Sequence, residues 1–535
     1  MQPEILNNLI LQSSLGADNF NHLFIQAWWV LCTALVLLMI FGFTLLESGL
    51  VDGRHMSGIA VKNVCIFFIS SAVYSLFGFD LMYTQTVCFL DGSFCGIFGN
   101  MSSYPDSKLF EKAAYFESSA FQLYQTGFAA VAATIISGAI AGRTTLLYNV
   151  LAAALIAGVI YPIFGHWIWN PQGIFSKDNV DAFFKIHDYA GASVVHLLGG
   201  TAALVACFHA GPRQTKDVQE GDPLKEEDDP LWSPSPEIAA GGVLLLLIGW
   251  IGFNGGNVYL AQEMIEFGEI DSILNDDSKA VIIPIFNPGK YALYTVLAAF
   301  SGAISAFVVS SFVGYCKDKS YYLFDPYPTF TGSLSGMVAI TACCDSVTKS
   351  QALLVGVFAG LFSFFIRTQM IRKSNIYDPV DAVAVHTGGA VVGLLFAGFL
   401  ESDMVVQLQV NLWSQLGGIF VCITFTAIVM YFFTILAKAL DVMIADTDLQ
   451  ILGLRYQREM KGKGGKPVDY ASRNRMAAPV ILIFGFVCVA IIIYYAIDNQ
   501  LAMNTFQVLN FFLTVIALYV AYRANESNNG TNGKK

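Results

Sequence analysis

Two stretches of the chain share one pattern: Asp188–His196 reads DYAGASVVH, and Asp378–His386 reads DPVDAVAVH. Each has an aspartate, seven mostly small or apolar residues, and a histidine that opens a glycine-rich apolar segment, LLGGTAALVA in the first case and TGGAVVGLLFAG in the second. If both stretches are helical throughout, each aspartate lies about 12 Å before its histidine along the helix axis. Ionisable residues are costly inside an apolar span, so two at matching positions indicate a functional site.

Composition identifies the environment of these stretches. The chain has 535 residues, of which 55% are hydrophobic and 13% charged, and its mean hydropathy is +0.58. A soluble chain carries about 25% charged residues, so this composition predicts a polytopic membrane protein. The net charge of −11 says little about partners, and nothing in the sequence supports nucleic-acid binding.

The apolar segments predict an all-α protein with an eleven-helix core. Segments long enough to span a bilayer lie at 24–46, 58–80, 118–141, 145–168, 189–210, 237–256, 289–312, 331–345, 350–370, 380–400 and 412–438. The eighth is short, as an interrupted helix would be. Two further apolar segments, 478–497 and 503–523, predict additional transmembrane helices near the C-terminus. The predicted parts are an extracytoplasmic N-terminus (1–23), the core (24–438), a cytoplasmic segment (439–477), the two extra helices (478–523) and a polar tail (524–535).

Basic residues in the loops predict the orientation. Lys and Arg are concentrated after the odd-numbered segments, which places the N-terminus outside and residues 439–477 in the cytoplasm. The fifth and tenth segments then enter the membrane from opposite faces, so the core is expected to consist of two inverted five-helix repeats whose sites meet near the midplane. Cys88, Cys95 and the glycosylation sequon at Asn100 lie outside, where a disulfide is possible.

The seven histidines fall into three groups. His166 lies near the end of the fourth segment and is intermediate, whereas His196 and His386 lie inside apolar segments. Two facing imidazoles can share one proton and offer a donor and an acceptor to a small polar solute. The remaining histidines lie near segment ends or in loops, where a solvated role is expected: His22, His55, His187 and His209.

Four more segments carry a resemblance to a known family. They are FQLYQTGFAAVAATIISGAIAGR (Phe121–Arg143), YPIFGHWIW (Tyr161–Trp169), GWIGFNGGN (Gly249–Asn257) and GMVAIT (Gly336–Thr341). In this order, and together with the two Asp-to-His stretches, they resemble the ammonium transporter (Amt/MEP/Rh) family over roughly residues 24–455. Trp169 and the GFNGG segment favour the ammonium transporter branch over the Rhesus-type channels.

The resemblance implies roles for five residues on the outer side. Phe128 and Phe253 would form a paired aromatic gate, although packing alone would also explain either residue. Trp169 would flank an outer ammonium site, since an aromatic face attracts a cation; an interfacial anchor is the alternative. Asn257 and Asp188 would complete the outer site, the aspartate through its charge and by ordering nearby backbone.

Deeper in the pore, the resemblance implies that His196 and His386 are twin histidines lining the path of ammonia. Asp378 would be the inner counterpart of Asp188, and helix capping would explain it equally well. An ammonium ion cannot cheaply enter an apolar passage, because desolvating a charge costs many kcal/mol. The expected mechanism is therefore recruitment of ammonium outside, loss of its proton near the gate, and passage of neutral ammonia.

The chain also departs from the family pattern. Asn257 stands where many members have Ser, and Gly142 where many have Glu. Residues 446–454 (DTDLQILGL) resemble the start of the family's cytoplasmic tail, but the two apolar segments that follow have no family counterpart. The resemblance further implies a homotrimer in a lipid bilayer, with no catalytic residues, cofactor or metal, and we expect the plasma membrane.

Three alternatives remain at this stage. An ammonium sensor would conduct little and signal through the unusual C-terminal region. A Rhesus-type gas channel would pass ammonia and also carbon dioxide. A membrane cytochrome would use His196 and His386, on different helices, as haem ligands.

Overall fold

The structure, a computed structural model, describes residues 3–88, 95–106, 116–212, 234–257, 287–318, 326–374, 376–399 and 410–445, with side chains from residue 23 onward. Long helices dominate these ranges. In chain order they are α1 (Pro3–Leu50), α2 (Gly53–Tyr83), α3 (Ser119–Ala139), α4 (Leu146–Trp169), α5 (Ala192–Ala210), α6 (Pro236–Gly255), α7 (Pro288–Asp318), α8 (Pro326–Ile340), α9 (Lys349–Ile371), α10 (Val383–Phe399) and α11 (Leu412–Ala439).

The helices have the length and composition of membrane spans. Eight of those described, in α1, α2, α4, α5, α6, α7, α9 and α11, are long and apolar enough to cross a bilayer. Extended pairing within the described ranges is limited to isolated bridges such as Thr86 with Gly99. In lipid, a helix satisfies its backbone hydrogen bonds within its own segment, which is why apolar spans of this length become helices. The predicted all-α polytopic membrane fold is confirmed.

Side-chain caps define several helix starts. The hydroxyls of Thr145 and Ser235 accept hydrogen bonds from backbone N–H groups three residues onward, at the starts of α4 and α6. Thr348 and Asn411 form reciprocal capping boxes at the starts of α9 and α11. Each cap satisfies a backbone donor that a helix cannot satisfy itself.

Five helices contain a π-helical turn, and two of these turns carry the predicted pore histidines. In α5 the turn is Ala192–Leu197, and in α10 it is Val383–Gly388. The other π-helical turns in the described ranges are Tyr74–Gly78, Ile156–Ile160 and Ile366–Ile371. Such turns are rare and often occur at functional sites.

Glycines allow close packing between helices. A Cβ on Gly242 of α6 would lie 2.4 Å from the backbone nitrogen of Leu46 in α1. A Cβ on Gly302 of α7 would lie 2.4 Å from the carbonyl oxygen of Gly332 in α8. Because lipid supplies no hydrophobic drive between spans, such backbone approach is how membrane helices gain packing energy.

The boundaries differ from prediction in several places. The first helix begins at Pro3, within the predicted N-terminal part (1–23), and ends at Leu50 rather than at residue 46. The eighth helix runs Pro326–Ile340, several residues earlier than predicted, and turns occupy residues 341–346. The Asp-to-His stretches are not helical throughout: α5 begins at Ala192, so Asp188 lies outside it.

The predictions about the disulfide, the inverted repeats and the C-terminal segments have different outcomes. Cys88 and Cys95 form a disulfide. The inverted-repeat arrangement stays a prediction. The predicted segments 478–497 and 503–523, and residues 446–454, lie outside the described residues.

Candidate functional site

The two predicted pore histidines lie in direct contact. Nδ1 of His196 and Nδ1 of His386 are 3.1 Å apart, and the two rings are inclined by 13° with centroids 5.2 Å apart. Both side chains are buried, with 0% and 5% exposure. The indole of Trp250 stacks on His196 at 5.0 Å and donates a hydrogen bond to the hydroxyl of Thr341. Packing and a fixed indole therefore hold the first imidazole in one orientation.

The short distance between these nitrogens fixes how the pair holds its proton. Two nitrogens at hydrogen-bond distance need one donor and one acceptor, so one imidazole gives its Nδ1–H to the other. The two Nε2 atoms, which do not take part in this bond, then differ: Nε2 of one histidine carries no hydrogen, and Nε2 of its partner carries one. Nε2 of His196 is buried and has no hydrogen-bond partner among the described residues. The neutral pair can accept a hydrogen bond from a small solute at one ring and donate one at the other.

Two phenylalanines cover the outer side of the histidine pair. The rings of Phe128 in α3 and Phe253 in α6 are stacked, with centroids 3.8 Å apart and planes inclined by 8°. Phe253 lies 5.4 Å from the ring of His196. The hydroxyl of Tyr124 donates to the carbonyl oxygen of Phe253 at 2.5 Å, which ties α3 to the end of α6. The two stacked rings therefore lie between Trp169 and His196.

Trp169 lies beyond this pair of phenylalanines. Its ring is 6.2 Å from that of Phe128, nearly edge-on at 67°, and its indole N–H donates to the carbonyl oxygen of Asp188 at 2.8 Å. Asn257 follows the end of α6, where its amide donates to the Phe253 carbonyl at 3.3 Å. Its Oδ1 atom is buried and has no partner in the described part of the chain. This oxygen can accept a hydrogen bond from a cation.

Asp188 is a helix cap. Its Oδ1 accepts from the N–H groups of Gly191 and Ala192 at 2.9 and 2.7 Å. Its Oδ2 accepts from the N–H and hydroxyl of Ser193, both at 2.6 Å, and from the N–H of Val194 at 3.2 Å. Gly191 has φ of 101°, a left-handed conformation that glycine adopts without strain. The carboxylate thus holds the N-terminal turn of the helix that carries His196.

Asp378 repeats this arrangement at the second stretch. Its Oδ2 accepts from the N–H of Val383 at 2.8 Å. The residue in the left-handed conformation here is Asp381, with φ of 55°, and its carboxylate pairs with Arg367 at 2.6 Å. The two stretches therefore share a capping aspartate, a left-handed residue and a π-helical turn that presents a histidine.

The geometry shows a column of rings through the site. Along the column, neighbouring ring centroids are 6.2, 3.8, 5.4, 5.2 and 6.1 Å apart. The rings belong, in this order, to Trp169, Phe128, Phe253, His196, His386 and Phe43. The aromatic residues and histidines that the sequence predicted for the site are thus contiguous, whereas the two aspartates accept hydrogen bonds from backbone beside them.

Sequence reasoning missed or misjudged other buried groups. His187 and His55 are 0% and 6% exposed, so the predicted solvated role is wrong for both. Nε2 of His187 lies 3.0 Å from Oδ1 of Asp345 in a fully enclosed pair beside Asp188. Glu47 and Lys62 form a second enclosed pair, at 2.7 Å. The sequence contained a signal for Glu47 and Lys62, because the segments LLESG and VKN each place a charged residue within an apolar segment.

The cytochrome alternative is inconsistent with this geometry. Axial histidines lie on opposite faces of a haem, whereas the nitrogens of His196 and His386 are at hydrogen-bond distance with nearly parallel rings. A macrocycle does not fit between them.

Comparisons with known proteins agree with the geometry. A family model described as the Ammonium Transporter Family matches residues 27–458. The chain is 32% identical over 434 residues to a Synechocystis protein assigned to the ammonium transporters, covering 79% of this chain and 71% of the relative. It is 29% identical over 452 residues to ammonium transporter Amt2 of Archaeoglobus fulgidus, covering 80% and 85%. A solved structure named Sensor Amt Protein is 26% identical, with a TM-score of 0.63, and is similar over 85% of this chain and 100% of its own.

Proposed function

The chain belongs to the ammonium transporter family, and from this premise we propose that it moves ammonium nitrogen across a membrane as neutral ammonia, past a phenylalanine gate and a histidine pair. The observation that supports this most directly is the column of rings with a shared hydrogen bond between His196 and His386. An apolar, enclosed path excludes a hydrated ion and admits a small neutral molecule.

The outer end of the column recruits the ion. Ammonium needs an aromatic face and hydrogen-bond acceptors to replace its water. Trp169 offers the face, and the unpartnered Oδ1 of Asn257 offers an acceptor. All the donors around Asp188 are backbone N–H groups and one hydroxyl. Asp188 therefore contributes negative charge and ordered backbone, without contacting the ion itself.

The phenylalanine gate and the histidine pair carry out the next two steps of the proposed mechanism. Phe128 and Phe253 stack tightly enough to exclude a hydrated cation, so ammonium gives its proton to a water molecule of the outer solution before they open. The His196–His386 pair then receives ammonia, since its two Nε2 atoms offer one acceptor and one donor. Asp378 caps the start of α10 from the inner side and so fixes the position of His386.

The test is ammonium transport by His196→Ala and His386→Ala. A lost hydrogen bond of about 1.5 kcal/mol lowers the rate roughly tenfold. We expect each variant to lose that much ammonium uptake in proteoliposomes, or to admit potassium. His209→Ala is the matched control, since His209 lies on the same helix as His196 and its Nδ1 bonds the backbone carbonyl of Val205 in that helix. Wild-type uptake and ion selectivity in both pore variants would refute the mechanism.

A sensor is the second candidate, favoured by the similarity to a structure named Sensor Amt Protein. In that case the same outer site binds ammonium, while transport is slow and the C-terminal region signals. The homotrimer implied by the family resemblance is part of either proposal.

A further inference from the structure

A charged pair lies just inside the histidines. Phe43 of α1 is the innermost ring of the column, 6.1 Å from His386. Glu47 follows one turn later on the same helix, about 6 Å further along its axis. Glu47 and His386 both line one small cavity, which has room for a water molecule. The carboxylate is therefore the first ionisable group that a solute meets after leaving the histidine pair.

Three neighbours orient this carboxylate. Oε2 accepts from Nζ of Lys62 at 2.7 Å, and the same ammonium group donates to the carbonyl oxygen of Ser137 at 2.8 Å. The amide of Asn63 donates to Oε1 at 3.4 Å. The side chains of Glu47 and Lys62 are 2% and 9% exposed.

Gly138 leaves Oε1 open to the cavity. A Cβ on this glycine would lie 3.2 Å from Oε1, and Gly138 itself lines the cavity. Of the described residues, the other titratable groups that face this space are Lys62 from α2 and His386 from α10; α3 contributes Thr134 and α8 contributes Leu334. The carboxylate has one oxygen committed to Lys62 and the other directed to the path of the solute.

Stability alone is a weak explanation for such a pair. Burying two charges costs several kcal/mol each, and replacing a buried pair by neutral residues of similar size is often neutral or stabilising. An intramembrane charge pair is therefore expected to serve a function.

We propose that Glu47 is the proton donor that converts ammonia to ammonium at the inner end of the pore, with Lys62 as its positioning residue. The inference rests on the proposed passage of neutral ammonia. The O–H bond of protonated Glu47 breaks and an N–H bond forms on ammonia, which leaves ammonium and a carboxylate. Lys62 and Asn63 stabilise that carboxylate, and a hydronium ion from the inner solution restores its proton and leaves as water.

The decisive variant is the double substitution E47Q/K62M, which removes both charges and leaves none unpaired. The initial rate of ammonium uptake is measured in proteoliposomes with ammonium outside and the internal pH set by the enclosed buffer. We expect the wild-type rate to fall as internal pH rises, because fewer Glu47 groups carry a proton. The double variant should take up ammonium at least about tenfold more slowly and lose that pH dependence.

Two further variants separate function from structure. E47D/K62R keeps both charges and should restore the dependence on internal pH. D52N/R54Q removes a neighbouring ion pair that lies outside the cavity, and it should leave the uptake rate and its pH dependence unchanged. If E47Q/K62M conducts like the wild type with the same pH dependence, the pair is only structural and the inference is wrong.

An infrared difference spectrum tests the site independently of transport. Addition of ammonia to the purified protein should remove a carboxyl band in the wild type, and this change should be missing from E47Q/K62M. A wild-type protein without ammonium uptake contradicts the proposed function. A spectrum that is the same in both proteins contradicts the assignment of Glu47 by itself.

Discussion

At the scale of single residues, the buried aspartates differ in how completely they are satisfied. Asp188 accepts five hydrogen bonds from Gly191 to Val194. Oδ2 of Asp378 accepts from Val383, and its Oδ1 has no partner among the described residues. Burial, and next the nearby Asp381 carboxylate, raise the pKa of Asp378 to about 7. The charge of Asp378 therefore changes near neutral pH.

Asp378→Asn should change how stability depends on pH. An unfolded aspartate has a pKa of about 3.9, so between that value and about 7 the folded state binds more protons than the unfolded state. The contribution of Asp378 to stability is then present below pH 4 and is lost as pH rises to 7. The midpoint of thermal unfolding is followed by tryptophan fluorescence in detergent. As pH is raised from 5.5 to 8.5, the midpoint of Asp378→Asn should increase relative to that of the wild type. Asp181→Asn, on an exposed loop, is the control, and an equal shift in both variants would contradict the assignment.

At the scale of the elements, function depends on how α5 and α10 begin. Each starts with a π-helical turn that carries a histidine, and each turn follows a left-handed residue and a capping aspartate. A cap fixes the axial position and rotation of the first turn. The 3.1 Å contact between His196 and His386 therefore depends on residues that do not touch the pore.

Asp188→Ala should disorder the start of α5. The change leaves the backbone donors from Gly191 to Val194 without their acceptor, at a cost of about 2 kcal/mol or more. Both the unfolding midpoint and the rate of ammonium uptake should fall. Ser193→Ala removes only the hydroxyl donor and should cost about 1 kcal/mol. If the two variants are equally stable, the carboxylate is not the cap that holds this helix.

At the scale of the whole molecule, the transport path and the C-terminal region are separate parts of the chain. The family match ends at residue 458, and the chain divides into the units Met1–Asn474 and Arg475–Lys535. Every residue of the ring column lies in the first unit. Transport and any additional C-terminal role should therefore be separable by truncation.

Removal of residues 477–535 should leave ammonium transport intact. Ammonium uptake per purified protein is measured in proteoliposomes, beside the full-length chain and the His386→Ala variant. Ammonium-dependent signalling in cells is measured separately, because a sensor would lose this signal while its binding site remains. Loss of uptake in a truncated protein that still unfolds at the wild-type temperature would contradict the division of roles.

The sequence by itself determined the all-helical membrane fold and the family, and it predicted the residues of the site. Hydropathy suffices for the spans, because lipid leaves an apolar segment little alternative to a helix. The paired stretches ending at His196 and His386 supplied the site, and the resemblance supplied roles for Phe128, Phe253 and Trp169. Hydropathy, the paired stretches and the family motifs are local signals, because each depends on residues that are close together in the sequence.

Only the tertiary structure decided which groups meet. His196 and His386 are separated by 190 positions, and no local rule fixes a 3.1 Å distance between their nitrogens. The same holds for His187 with Asp345 and for Glu47 with Lys62, each pair enclosed by several helices. Whether a charged side chain is solvated or buried beside a partner depends on packing between distant segments, because burial and pairing together set its energy.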